Sequence, residues 1–401
     1  MNYIITGAGF NNKGAESMFY AVAAEIKSKD ENAQITFISL SEFDKKKEKL
    51  LNNIKLLKED SKQRKHLASP YYHIADKITN IFKKNENLEI WYQEFKKADI
   101  IIDISGFALT SKWGKKANQR IINNIKLAKI FNKKIVLMPQ SFGPFDYKKE
   151  DKITKKDITK WLNKADLIFC REKDGYNQLK DLGIKNIILS YDLVLQNKNS
   201  YENIILDNKE KNININIKEN SILILPSTRI LERTDEKAYF NLYKREIQSL
   251  LDKNFNIYLS YYAKSDLQVC KKLKDMFNDN IKVTLISDDL NCIQFQKILP
   301  KFKFLITSRY HSIVHSYKQF IPCIVIGWAI KYKELMHNLN QDKYLFDCKN
   351  EISNEEFENK VNELIKNLEN EREIIKNKMN DILETSCFDT LWKYIEDWRT
   401  T

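Results

Sequence analysis

Long apolar runs, paired cysteines, frequent glycines and frequent histidines are all missing from this chain. No window approaches the roughly twenty apolar residues that a bilayer crossing needs, so no membrane span is expected. The six cysteines (Cys170, Cys270, Cys292, Cys323, Cys348 and Cys387) show no C-x-x-C spacing, and several lie within apolar runs such as LIFCRE and IPCIVIG. They read as reduced core residues of a cytosolic protein. The opening MNYIITGAGF lacks a basic segment followed by a long apolar stretch, and reads as a strand rather than a signal peptide. No internal repeat of short fixed period is present.

What the chain does contain is ordinary globular material in an amount that suits two domains. It has 401 residues, 43% hydrophobic and 11% aromatic, enough to bury against chain entropy. A formal charge of +13, from 67 Lys plus Arg against 54 Asp plus Glu, favours an anionic substrate, a nucleic acid or an anionic membrane surface. The same excess also fits compositional bias, since lysines are scattered among Asn and Ile in stretches such as NKEKNININIKEN.

Short apolar runs alternate with segments of helical period, the pattern of a parallel sheet flanked by helices. Strands are expected at Asn2–Thr6, Ile35–Leu40, Asn53–Leu57, Ile100–Ile104, Ile135–Met138, Leu167–Cys170 and Ile187–Ser190 in the first half. In the second they are expected at Ile222–Leu225, Asn256–Ser260, Lys282–Ile286, Phe304–Thr307 and Cys323–Ile326. The order predicts an α/β protein of two doubly wound, Rossmann-like domains facing across a cleft, with domains at 1–196 and 219–375. A lid or helical excursion is expected at 58–90, a linker or exposed edge at 197–218, and a terminal helix at 376–401 that packs back on the first domain.

The nine glycines mostly follow expected strands, where ligands bind in open α/β sheets. GAGFNNKGAESM nearly matches two phosphate loops and satisfies neither: Gly9 and Gly14 have Walker A spacing, but Ala15 and Glu16 follow, and four residues separate Gly9 from Gly14. What remains is a strand-to-helix loop aiming amides, Asn12 and Lys13 at an anion or a sugar hydroxyl. IVLMPQSFGPF places Gln140 and Ser141 at a strand end, which suits hydroxyl recognition and also ordinary turn chemistry.

Two of the five histidines sit in TSRYHSIVHS. Ser308 is expected to cap a helix whose first turn carries Arg309 and His311, an anion site with an added cation. His315, four residues on, suggests a metal pair, but no third ligand and no H-E-x-x-H appear; it reads as a helix residue turned partly inward. In ADLIFCREKDGYNQLKDLGI, Arg171 directly follows a strand. It reads either as an exposed cation that clamps a dianion together with Arg309 or as a salt-bridge partner of Glu172 or Asp174.

Taken together, GAGFNNKGAESM, MPQSFGPF, REKDGYNQLKDLGI and SRYHSIVHSYKQFIPCIVIGWAIKYKELM resemble the polysaccharide pyruvyl transferase family, from Asn2 to Met336. The resemblance implies a fold like that of B-type glycosyltransferases. It also implies transfer of pyruvate from phosphoenolpyruvate to sugar hydroxyls, as a ketal, during cell-surface glycan synthesis in the cytoplasm or at the inner membrane face. Arg309 and His311 match the family's Arg-x-His donor site, Arg171 its strand-end arginine, and Lys331 and Tyr332 lie in the loop after Gly327. Ser308 joins this donor group, and His311 is the candidate acid. The acceptor group comprises Asn12, Lys13, Gly14, Ser105, Gly106, Gln140 and Ser141. One departure falls on the acceptor side: IIDISGFALTSKWG has a single Gly106 where many relatives carry a glycine-rich turn.

The implied partners are phosphoenolpyruvate and a sugar or glycan, free or lipid-linked. No metal and no further cofactor are implied, and no nucleic-acid motif is present. Two other functions stay open at this point: a glycosyltransferase using a nucleotide sugar, and a non-catalytic protein that binds anionic ligands.

Overall fold

The computed structural model describes residues 1–41, 51–79, 85–148, 154–206, 212–278 and 280–400. Residues 80–84 of the expected excursion and 207–211 of the expected linker therefore lie outside the described residues. Two compact units emerge. The first comprises Met1–Phe10, Met18–Leu206 and Ser386–Thr401, and the second Asn11–Ser17 and Asp207–Thr385.

The first unit holds a seven-stranded parallel sheet of β1 (Asn2–Thr6), β2 (Gln34–Ser39), β3 (Ile54–Lys58), β4 (Ile100–Asp103), β5 (Lys134–Gln140), β6 (Leu167–Cys170) and β7 (Ile187–Leu189). Its spatial order is β3-β2-β1-β4-β5-β6-β7. Register is set where β1 meets β4, with Ile5 beside Ile102 and Thr6 beside Asp103. β4 is buried along its whole length, as expected for a strand covered by helices on both faces. The helix Gly114–Ile130 lays Ile121, Ile122, Ile125, Leu127 and Ala128 into that core. Each fully buried isoleucine there contributes about 1.5–3 kcal/mol.

The second unit repeats the plan with β8 (Ser221–Leu225), β9 (Asn256–Ser260), β10 (Val283–Ile286), β11 (Leu305–Thr307), β12 (Cys323–Gly327) and β13 (Leu345–Asp347) in the order β10-β9-β8-β11-β12-β13. In each sheet the winding reverses once, at β1/β4 and at β8/β11. Ligands bind beyond the carboxyl ends of strands at such a reversal. Arg309 follows β11, and Ser105 follows β4, so both stand at these points.

Scarce glycine has a visible consequence in the backbone. Turns that need positive φ are made by asparagine at Asn53, Asn132, Asn220, Asn254 and Asn340, the residue after glycine that best tolerates this region. Asn132, Asn254 and Asn340 each follow the C-cap residue of a helix (Phe131, Lys253 and Leu339), where a left-handed residue ends the hydrogen-bond ladder. All six cysteines are buried thiols.

Several boundaries differ from the sequence expectation. Residues 58–90 hold the helices Ser61–Leu67 and Pro70–Thr79 and the start of Glu86–Lys97, and Leu67 and Leu88 are buried in the first core. Of the two readings of this segment, the described residues take the helical one and pack against the first core. The linker begins later than residue 197, because Tyr201, Ile204 and Ile205 are buried and Ile205 bridges to Leu51. The terminal helix, Cys387–Thr400, belongs to the first unit; Trp392 Nε1 donates to Glu25 Oε1 at 2.8 Å and Cys387 N to Gln196 Oε1 at 3.2 Å. Strand β13, only three residues long, was not anticipated.

Candidate functional site

The start of the helix Tyr310–Tyr317 organises the second unit's site. Arg309, not Ser308, occupies its N-cap position, with extended backbone at φ −111° and ψ 123°. Ser308 is turned inward instead and meets the Tyr243 hydroxyl at 3.3 Å. This corrects the expectation that Ser308 caps the helix: the turn begins one residue later, so the serine points into the core.

Arg309 is oriented by Asp266. Its Nε donates to Asp266 Oδ2 at 2.8 Å, and Nη2 donates to Oδ1 of the same carboxylate. Asp266 is fully buried and also accepts from the Thr228 N–H at 3.0 Å and the Thr228 hydroxyl at 3.1 Å. The Nε–Nη2 edge of the fork is thereby fixed. Nη1 makes no hydrogen bond among the described residues, on a side chain that is 15% exposed.

The first loop of the chain completes this group. Asn11–Ser17 belongs to the second unit, so Asn12, Lys13 and Gly14, expected on the acceptor side of the first domain, fall in the same unit as Arg309 and His311. Asn12 Oδ1 caps the helix Lys13–Lys29, accepting from the Gly14 N–H at 2.8 Å. Glu16 anchors the segment by accepting from the Cys292 N–H at 2.8 Å. Lys13 donates to the Tyr261 carbonyl at 3.3 Å and lies 4.8 Å from the centre of that tyrosine's ring. Burial holds its pKa below the ordinary lysine value, with Asp289 and Glu16 opposing the shift.

Gly14 makes room for His311. A Cβ built on Gly14 would fall far inside van der Waals contact with Nδ1 and Cγ of that ring. His311 is half-buried and stands edge-on to Tyr310, 5.3 Å between ring centres.

His315 is buried more completely than expected. It is fully enclosed between the rings of Tyr262 and Phe295, and among the described residues neither ring nitrogen has a hydrogen-bond partner. Burial first, then the charges of His311, Lys318 and Lys13, push its pKa well below the ordinary histidine value. The folded protein therefore keeps this ring neutral, while the unfolded chain protonates it below about pH 6.5. Since the unfolded state then binds more protons, stability falls as pH drops through that value, by up to about 1.4 kcal/mol per unit. Thermal melts should show His315→Leu losing less Tm than the parent between pH 7 and pH 5. Equal losses would assign the acid lability to another group.

Beyond β12, Tyr332 packs against Gly327 and donates its hydroxyl to the Ser308 carbonyl at 3.1 Å. Burial raises its pKa to about 12. It buttresses the Arg309 turn from below. Lys331 lies over Tyr310 at 5.1 Å and Trp328 at 5.6 Å, and Arg233 covers Trp328 at 4.5 Å. Asp266 and Arg233 were missed in the sequence, where no short motif marks them, whereas Trp328 lies within the quoted segment IPCIVIGWAIKYKELM.

The remaining residues sit at the strand ends of the first unit. Arg171 is not the exposed cation that was expected: its side chain is 1% exposed, and it donates to Glu172 Oε1 at 2.8 Å and Asp192 Oδ2 at 3.1 Å. Ser141 Oγ accepts from its Nη2 at 2.8 Å and donates to Glu172 Oε1 at 2.8 Å. The neighbouring glutamate folds back and Asp192 supplies a second carboxylate, so the charge is balanced within the unit. Gln140 is fully buried with neither amide atom partnered among the described residues, and Ser105 Oγ is likewise buried and unpartnered. Gly106 takes φ +68° beside Met18, and its carbonyl accepts from the Ser141 N–H at 2.7 Å.

Comparison with known proteins agrees with this architecture. A family model described as polysaccharide pyruvyl transferase matches residues 12–329. Among solved structures, the UDP-GlcNAc 2-epimerase of Methanocaldococcus jannaschii superposes with a TM-score of 0.57 at 12% identity, covering 90% of this chain and 92% of that one. The UDP-GlcNAc 2-epimerase of Neisseria meningitidis, bound to UDP-GlcNAc, gives 0.56 at 13% identity, covering 98% and 100%. A lipopolysaccharide outer core galactosyltransferase gives 0.51 at 14% identity, covering 99% of each chain. These likenesses establish a two-domain fold of the B-type glycosyltransferase kind.

Proposed function

Because the chain belongs to the polysaccharide pyruvyl transferase family, we propose that this transferase takes pyruvate from phosphoenolpyruvate and attaches it as a ketal to a pair of hydroxyls on a cell-surface polysaccharide or its precursor. The observation that carries this reading is the gathering of two helix starts in one unit, Lys13 opening Lys13–Lys29 and Arg309 with His311 opening Tyr310–Tyr317, with Gly14 against the His311 ring. Phosphoenolpyruvate brings a carboxylate and a phosphate, and helix amides with fixed cations are the groups that offset such charge.

In this mechanism Arg309, aimed by Asp266, grips the donor, and Lys13 adds positive potential from a desolvated position. Protonated His311 gives its proton to the vinyl methylene carbon, and the first sugar hydroxyl bonds to the carbon bearing the carboxylate. That hydroxyl's proton restores the acid. The second hydroxyl then bonds to the same carbon as the carbon–oxygen bond to phosphate breaks, and inorganic phosphate leaves with the second proton. Arg171, neutralised by Glu172 and Asp192, is assigned to holding Ser141 and stays outside the donor cradle.

A lipid-carried acceptor and work at the inner membrane face belong to the same proposal. Among the described residues no helix is long and apolar enough to cross a membrane.

Incubation with phosphoenolpyruvate and candidate glycans should release inorganic phosphate only when both are present. Turnover of a nucleotide sugar, with no phosphate released from phosphoenolpyruvate in any mixture, would instead assign the protein to the glycosyltransferases whose architecture it shares.

A further inference from the structure

We propose that the outer surface of the first unit's helical layer docks on an anionic lipid bilayer, with Tyr71 and Ile74 entering the interface and the lysines of neighbouring helices held over the headgroups. Naming a bilayer as the partner rests on the reading above that the acceptor is lipid-carried; the surface itself rests on the side chains of the first unit.

The layer follows from the order of the strands. From β3 to β4, and on to β5, β6 and β7, the chain advances in one direction across the sheet. Right-handed crossovers then place every intervening helix on the same face, and one core that includes Leu67, Trp91, Ile125, Ile158 and Leu179 lies beneath them. The helix Gly114–Ile130 ties its neighbours together. Just past its end, Phe131 meets the His73 ring of Pro70–Thr79 edge-on at 5.4 Å, and from its last turns Lys126 reaches to 5.0 Å from the Trp161 ring of Lys155–Leu162.

Tyr71 and Ile74, one turn apart on Pro70–Thr79, are 81% and 60% exposed. Apolar side chains so far out gain little from the core beneath, and a bilayer interface is a medium that buries them. The charge around them is one-sided. Lys62 and Lys65 stand exposed on the preceding helix, Ser61–Leu67. Gly114–Ile130 carries five cations and no acid, and no Asp or Glu occurs anywhere between Asp103 and Asp146. Lys155–Leu162 adds three lysines against Asp157. Asp166 is held by Lys129 at 3.1 Å and Lys134 at 3.4 Å, and the helices Pro70–Thr79, Glu86–Lys97 and Lys173–Asp181 are close to neutral.

The excess is densest at Trp161. Around this half-buried ring the ammonium groups of Lys126, Lys164 and Lys160 converge to 5.0, 4.9 and 5.6 Å from its centre, and none of the three forms an ion pair among the described residues. Like charges gathered in this way repel, and an anionic surface relieves them. A tryptophan ringed by lysines also has the composition of an interfacial anchor: the ring sits at headgroup level while the lysine stems lie along it and carry their charges to the phosphates. A soluble polyanion would satisfy the lysines but has no use for Tyr71 and Ile74, so the two features together favour a bilayer.

Sedimentation of the full-length protein would compare vesicles of phosphatidylcholine alone with an equimolar mixture of phosphatidylglycerol and phosphatidylcholine. Binding to the mixture should be about tenfold or more tighter. Changing Lys126, Lys160 and Lys164 together to glutamine should weaken it about a hundredfold, at about fivefold per lysine, while the same three changed to arginine should retain it. Tyr71→Ser combined with Ile74→Ser should weaken it about tenfold or more through lost apolar burial. Equal binding to both vesicles, or undiminished binding in either the glutamine or the serine variant, would overturn the proposal. Polygalacturonate that binds as tightly as the mixed vesicles, and equally well to the serine variant, would assign the surface to acidic glycans instead. Vesicle binding needs no phosphoenolpyruvate, and phosphate release with a soluble acceptor needs no vesicle, so either proposal can fail while the other stands.

Discussion

Replacing His311 with alanine should lower the turnover of phosphoenolpyruvate-dependent phosphate release by about a hundred- to ten-thousand-fold, the usual contribution of a positioned acid. KM for phosphoenolpyruvate should change little, because Arg309 and the helix amides remain. The more incisive variant is Gly14→Ala. Its new methyl group would occupy space that the His311 ring now fills, and a half-buried imidazole can yield by swinging away. Turnover should fall nearly as far as in His311→Ala, although no chemically reactive atom has been removed. If displacement of the ring is the whole effect, the double variant will be no slower than His311→Ala alone. Steady-state kinetics on the four proteins decides this. Normal turnover in Gly14→Ala would show that the position of the ring does not matter, and would remove His311 from the mechanism.

The second large effect concerns the Arg309–Asp266 pair, whose partners should not respond alike. Asp266 is fully buried, whereas Arg309 is 15% exposed. Arg309→Leu strands a carboxylate with no route to solvent, and breaking a buried pair in this way costs about 3–5 kcal/mol. The variant should melt at a markedly lower temperature and lose donor binding. Asp266→Ala leaves the charge on a side chain that reaches water, so less stability is lost. The guanidinium then loses its fixed aim, and KM for phosphoenolpyruvate should rise about ten- to a hundredfold, the loss of one charge-assisted hydrogen bond. Thermal melts paired with kinetics test the asymmetry. Equal destabilisation by the two substitutions would mean that orientation is not the main role of Asp266.

The contrast between these residues shows what could be read in the sequence. Twelve strands were legible because parallel strands covered on both faces are short continuous apolar runs, while β13, three residues of LFD, is too brief to form a pattern. Arg309 and His311 were legible because their motif packs strand end, cation and imidazole into a few residues. Asp266 was not. It lies 43 positions from Arg309, inside the ordinary polar segment AKSDLQ, and only folding makes them partners. Arg64 was hidden differently, since SKQRKHL looks like a solvated helix face and nothing local shows that its arginine turns inward, to 1% exposure. Arg171 was half-legible: the adjacent Glu172 announced a salt bridge, but the contribution of Asp192 depends on the loop after β7.

That a seven-residue segment, Asn11–Ser17, made of the end of the first loop and the start of the helix Lys13–Lys29, belongs with the unit built mainly from Asp207–Thr385 bears on how relatives can be recombined. A chimera spliced once near residue 206 would take position 14 from one parent and position 311 from the other, and any parent with a side chain at position 14 would crowd the inherited imidazole. Useful hybrids must transplant the heptapeptide together with the carboxyl-terminal half. Over evolutionary time, substitutions at these two distant positions are constrained to drift in concert.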